Sequence, residues 1–161
     1  MKVTLYSDGA CKGNPNGPGG YGTVLQYVDA NNVLHEKEFS GGYKSTTNNR
    51  MELMGVITGM EALKTACDVE VISDSKYVCD AFNQGWIYSW MKNNWVKSDK
   101  QPVKNKELWE RILKAMKPHN VKFSWIKGHA GHAENERCDT LASKASKSSS
   151  LLDDDGLSML L

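Results

Sequence analysis

Val69-Glu70-Val71-Ile72-Ser73 is a short β-branched, apolar run with helix-like sequence on both sides. Upstream, Met51, Met54, Ile57 and Ala62, with Val56, Met60 and Leu63, recur at roughly helical spacing, and Ser45-Thr46-Thr47-Asn48 offers N-caps for that helix. Downstream, Lys76–Asn83 is helical in character. A strand that is entered from a helix and left into another is reached by a crossover, which favours a parallel neighbour. The pattern recurs at Val121-Lys122-Phe123-Ser124-Trp125-Ile126. That run follows a helical stretch at Asn105–Met116 with Leu108, Ile112, Leu113 and Met116 on one face. Before the first crossover the chain reads differently. Residues 2–7 form a strand and residues 9–20 a Gly/Pro/Asn loop. Two extended stretches, 21–28 and 33–39, flank the turn Asp29-Ala30-Asn31-Asn32 as a hairpin. A Trp-rich segment runs to about residue 97, and a last helix spans about 133–145. The order β-β-β-α-β-α-α-α-β-α predicts an α/β fold. Its five-stranded mixed sheet has three antiparallel strands, then two parallel ones, flanked by helices.

The chain has 161 residues, enough for one domain with a proper core, and 40% of them are hydrophobic. No apolar run approaches the ~18 residues that span a bilayer, and the N-terminus has no signal-peptide core. A cytoplasmic protein with no membrane partner is expected. Cys11, Cys67, Cys79 and Cys138 form no CxxC pair, so free thiols are expected. The net charge of +1 hides an asymmetry. The tail 148–161 carries Asp153, Asp154 and Asp155 and no Lys or Arg, so the body alone has 20 basic against 16 acidic side chains. This mild excess is weak evidence for a nucleic-acid partner. Residues 1–147 read as the folded domain, and 148–161 as a flexible acidic and apolar tail. Its apolar end, from Gly156 to Leu161, is either a plain terminus or a short peptide that docks in a protein partner's groove.

Four acids sit where chemistry could use them. Asp8 follows Val3-Thr4-Leu5-Tyr6-Ser7, and Asp74 follows the run quoted above. Carboxylates at the C-terminal ends of two strands meet at the sheet edge where α/β folds place their sites. Glu52 lies early in a helix between Met51 and Leu53, a face that is not obviously polar. Asp139 lies in the last helix, too far in for the helix dipole to account for it as it does for Glu134 and Glu136. Clustered carboxylates persist when a cation sits among them, and Mg²⁺ takes oxygen ligands. His129 and His132 lie in a glycine-containing segment just after the fifth strand and can carry protons near pH ~6.5.

Other chemistries fit less well. His129, His132 and Cys138 have loose zinc spacing and lack a partner cysteine. Gly17-Pro18-Gly19-Gly20-Tyr21-Gly22 formally matches G-x-G-x-x-G but leads into a strand, where a dinucleotide site needs a helix. From Trp86 to Lys106, Trp86, Tyr88, Trp90 and Trp95 are interleaved with Lys92, Lys97, Lys100, Lys104 and Lys106. This suits a nucleic-acid backbone, and equally an amphipathic element that buries its tryptophans.

Four blocks in order carry a resemblance. They are Thr4-Leu5-Tyr6-Ser7-Asp8-Gly9-Ala10-Cys11, Thr47-Asn48-Asn49-Arg50-Met51-Glu52-Leu53, Ser73-Asp74-Ser75, and Gly128-His129-Ala130-Gly131-His132 continuing through Ala133-Glu134-Asn135-Glu136-Arg137-Cys138-Asp139. Over residues 2–147 the chain resembles type 1 ribonuclease H of the bacterial form. The resemblance implies the ribonuclease H-like fold and cleavage of the RNA strand of an RNA–DNA hybrid, leaving 5′-phosphate and 3′-hydroxyl ends. It implies two Mg²⁺ ions (Mn²⁺ is the alternative) held by Asp8, Glu52, Asp74 and Asp139, with His129 aiding proton transfer or product release. Asn14, Asn48, Asn49 and the Cys11 and Gly13 backbone match positions near the RNA, where the 2′-hydroxyl can be read. Thr47 and Asn105 match a pocket for a DNA-strand phosphate, and Trp86 and Trp90 the aromatic part of a basic protrusion.

Three departures stand out. Lys76 replaces a Gln common near the RNA strand. Ser45 stands where a basic residue often lies. Trp90-Met91-Lys92-Asn93-Asn94-Trp95 is thinner in charge than the usual protrusion. Weaker hybrid affinity with a shallower salt dependence is expected. A silent hybrid-binding module and a different nuclease on the same fold are the competing readings. A monomer is expected.

Overall fold

The computed structural model describes residues 1–128 and 130–156. The strands are β1 (Lys2–Cys11), β2 (Gly17–Val28), β3 (Leu34–Thr46), β4 (Asp68–Ser73) and β5 (Asn120–Trp125). The helices are α1 (Asn48–Glu61), α2 (Lys76–Asn83), α3 (Trp86–Lys92), α4 (Lys106–Met116) and α5 (Ala133–Ser146). The sheet order is β3-β2-β1-β4-β5. β1–β2 and β2–β3 pair antiparallel, and β1–β4 and β4–β5 pair parallel. The element order and the mixed sheet are those expected from the sequence.

Three boundaries differ. β1 runs three residues past Asp8, β2 begins at Gly17 inside the expected loop, and β3 runs on to Thr46, past its expected end at residue 39. Tight α5 packing makes strand residues of Gly20, Gly22 and Gly42. A Cβ on Gly22 would lie 2.3 Å from the Cys138 carbonyl, and one on Gly42 would lie 2.1 Å from that of Ala145. A helix backbone that close tolerates only glycine beneath it. α5 therefore covers one face of the sheet, while α1 lies over the other. There Gly59 approaches Leu5, and the Thr23 hydroxyl donates to the Gly55 carbonyl. The main core fills the space between sheet, α1 and α4. Leu5, Val71, Met51, Ile57, Ile112 and the whole of Trp109 are buried there.

Where it is described, the tail expected to be flexible lies against the edge of β3. Leu152 bridges to Tyr43, its N–H donating to the Gly42 carbonyl and its carbonyl accepting from Lys44. The outer edge of β3 offers unpaired backbone groups, and the tail satisfies some of them. Asp154 then reaches the buried Arg50. Residues 157–161, which include the apolar end expected to dock a partner, lie outside the described residues.

Candidate active site

The β1–β4 register sets the site. Tyr6 pairs with Ile72, so two residues further along Asp8 comes level with Asp74, just where β4 has ended. β1 continues past that point on its β2 side only. This leaves an opening between the end of β4 and the start of α1. Glu52 enters it from the first turns of α1, which Thr47 caps by accepting from the Arg50 N–H at 3.2 Å. Asp8, Glu52 and Asp74 each offer a carboxylate oxygen, and these oxygens lie within 4.8 Å of one another. Asp139, on α5, completes the lining of a hollow of about 500 Å³. Cys11, Asn48, Asn49, Lys76 and Tyr77 also line it.

The electrostatics are unfavourable without a cation. Burial pushes the Asp8 carboxyl up to about 7, and the Asp74 and Asp139 charges add to the rise. Burial holds Glu52 well above the usual carboxylate range, with Asp8 and Asp74 adding to it. The Gly9 N–H donates to both Asp8 and Glu52 at 2.9 Å, which offsets this only in part. Glu52 Oε2 is buried with no hydrogen-bond partner. A buried carboxylate oxygen facing other carboxylates is costly unless a cation completes it. Hard oxygen donors of this kind suit a divalent ion such as Mg²⁺, Ca²⁺ or Mn²⁺.

The remaining expected residues fall in three places. Asn14, Asn48 and the Cys11 thiol knit the rim: Asn14 Oδ1 accepts from the Asn48 N–H, and Cys11 Sγ donates to the Gly17 and Thr46 carbonyls. Gly13 has φ +69, a left-handed turn with open space around it. Asn105, also left-handed at φ 64, precedes α4. Its Oδ1 accepts from Arg50 Nη1 at 3.1 Å and its Nδ2 donates to the Tyr77 hydroxyl at 2.9 Å. Both ends of that amide are already used inside the protein. Trp90 packs edge-on against Trp109 and so anchors α3, while Trp86 remains half exposed. Beside them Lys92 and Lys97 line an open groove. Within the Trp/Lys segment, Trp90 thus follows the reading of a buried anchor, while Trp86, Lys92 and Lys97 stay exposed. His129 lies outside the described residues. The zinc reading loses Cys138, which is fully buried against the sheet with its thiol pushed up to about 12, chiefly by burial.

Trp125 is a residue that the sequence reading passed over. Its indole N–H donates to the Asp74 carbonyl at 2.8 Å, and Lys76 Nζ lies 4.8 Å from the centre of its ring. It thus holds the backbone of one carboxylate and the cation beside it. Its place at the end of β5, level with Ser73, was the available signal.

The RNase H family model matches residues 1–147. The chain belongs to the RNase H family. The Ribonuclease H of Lachnoclostridium phytofermentans is 56% identical over 154 residues, covering 96% of this chain and 98% of that one. The Ribonuclease H of Desulforamulus reducens is 53% identical over 150 residues, covering 93% and 91%. Among solved structures, LC9-RNase H1, a type 1 RNase H with the type 2 active-site motif, superposes with a TM-score of 0.81 at 30% identity. That match covers 98% of this chain and 80% of the other. As a ribonuclease H, the chain is a hydrolase that acts on the RNA of RNA–DNA hybrids; enzymes of this family use a divalent metal, and an acidic cluster is present here. No helix among the described residues is long and apolar enough to cross a membrane.

Proposed function

We propose that this chain is an endonuclease that cuts the RNA strand of hybrids by two-metal-ion catalysis, leaving 5′-phosphate and 3′-hydroxyl ends. The observation that carries this reading is the Asp8, Glu52 and Asp74 cluster, with its buried, unpartnered Glu52 oxygen, in a chain of this family. Asp8, Glu52, Asp74 and Asp139 would hold two Mg²⁺ ions, with Mn²⁺ as the alternative. Bound there, such ions polarise the phosphate and lower the pKa of the attacking water.

The chain's own residues do the rest. Asp8 within β1 and Asp74 just past the end of β4 fix the ligand oxygens to the rigid sheet, and Trp125 holds the Asp74 backbone. Asn14, Asn48, Asn49, Lys76 and the Cys11 and Gly13 backbone line the RNA side and read the 2′-hydroxyl. Thr47 and Asn105 stand at the N-termini of α1 and α4, where positive helix ends favour a DNA-strand phosphate. Trp86 and Trp90, with their neighbouring lysines, take the duplex further along. We assign proton transfer or product release to His129. The protein works as a cytoplasmic monomer.

The test uses labelled RNA–DNA hybrid, duplex RNA and duplex DNA, each with Mg²⁺ and with EDTA. Metal-dependent cutting of the hybrid alone is expected. Binding without cutting would make the chain a silent binder, and cutting of DNA would make it a different nuclease.

A further inference from the structure

The C-terminal strap ends beside the proposed DNA-strand site, and its chemistry there is acidic. It runs parallel to the end of β3 through the Tyr43–Leu152 bridge, with Leu151 seated over Gly42. Asp154 is its anchor. It accepts from the Thr46 hydroxyl at 2.6 Å, from Arg50 Nε at 2.8 Å and from Arg50 Nη2 at 3.0 Å. Thr46 immediately precedes Thr47, the cap of α1, and Arg50 donates to Asn105. The strap is therefore tied to both residues expected at the phosphate.

Asp153 and Asp155 are exposed on either side of Asp154. Asp153 Oδ1 lies 3.6 Å from the ammonium of Lys44, the neighbour of Ser45. On the other side, Arg50 faces two carboxylates, Glu107 and Asp154. Around this site the strap cancels positive charge that a phosphate would otherwise meet.

Resting on the reading of Thr47 and Asn105 as a DNA-strand phosphate site, we propose that the docked strap is an electrostatic brake on hybrid binding, with Asp153 and Asp155 lowering the potential at that phosphate. The brake acts on affinity and leaves the carboxylate hollow untouched. It also acts through water-exposed charges, so it fades with salt.

The test is the full-length double variant Asp153→Asn, Asp155→Asn, which keeps the Asp154 anchor. Hybrid affinity is read by fluorescence anisotropy in EDTA across a salt series, and kcat and KM in Mg²⁺. At ~50 mM salt, about two- to fourfold tighter binding is expected, as Coulomb energies at ~10 Å in water suggest. The gain vanishes by ~300 mM, the salt slope steepens, and kcat stays at its wild-type value. Asp153→Lys extends the same trend. Asp68→Asn, at the other end of the sheet, leaves affinity unchanged. Wild-type affinity and slope in both strap variants would overturn the brake, as would an equal gain from Asp68→Asn. A wild-type chain that neither binds nor cuts hybrid would overturn the functional reading instead.

Discussion

Arg50 and Glu52 sit two residues apart on α1, both buried, and their surroundings are opposites. The Arg50 side chain is 2% exposed and every polar arm is matched. Glu107 takes two of its N–H groups, Asp154 takes two more, and Asn105 shares one. Glu52 is 9% exposed and faces the Asp8 and Asp74 carboxylates, with the Gly9 N–H on one oxygen and the other unpartnered. Protein folds bury charge at a cost of several kcal/mol per ion, recovered only through well-made partners. Arg50 has recovered it inside the chain, and so it belongs to the architecture. Glu52 has not, and so it points to something from outside.

The sharpest way to break this contrast is Asp74→Asn. It keeps the shape and removes one ligand charge. A metal centre contributes several kcal/mol of transition-state stabilisation, so turnover should fall on the order of 10²- to 10³-fold. Circular dichroism should show the fold intact. Wild-type turnover in this variant would leave the hollow without a catalytic role. Arg50→Ala should do the reverse. It strands Asp154 and Glu107 and should cost about 3 kcal/mol, with Tm lower by roughly 10 °C. The chain that remains folded should still cut. A Tm within a degree or two of wild type would mean that the clamp is ornamental.

How much of this was visible beforehand depends on what kind of interaction decided it. The strand and helix order was legible, because periodicity switches cleanly between Ser45 and Ser75 and again around Asn120. The carboxylates were legible as candidates for the same reason, since a strand end and a turn can be read locally. Arg50 was not. Nothing near it announces that Asp154, 104 residues away, will bury it. Ser148-Ser149-Ser150 has the composition of a linker, and the contacts of Leu152 that follow it rest on backbone groups of β3 that composition does not report. Trp125 was read only as a strand residue, since its indole bond to Asp74 is fixed by the β4–β5 register.

A smaller effect sharpens the electrostatic half of the contrast. Metal ligands must be deprotonated, and Asp8 holds its proton up to about 7. Mg²⁺ affinity measured by calorimetry should therefore rise as pH climbs from 6 to 7, up to about tenfold for one displaced proton, and level off near 8. Titrations in two buffers of different ionisation enthalpy should reveal proton release. A flat affinity from pH 6 to 8 would mean that the carboxylates do not repel as described.

The smallest effect concerns stability without metal. In the folded chain Asp8 keeps its proton from its ordinary value of 3.8 up to about 7, so across that window the folded state binds more protons than the unfolded one. Stability must then fall as pH rises through the window, the reverse of a salt-bridged carboxylate. Asp8→Asn removes the charge responsible. In EDTA at pH 7.5 it should stabilise the protein by about 1 kcal/mol, even as it abolishes a ligand. Near pH 4, where Asp8 is protonated in the folded wild type, the gain should disappear. A site held open for a cation should be stabilised by losing one of its ligands, whereas Arg50 cannot be removed without loss. Destabilisation by Asp8→Asn at pH 7.5 would place Asp8 among the structural charges with Arg50.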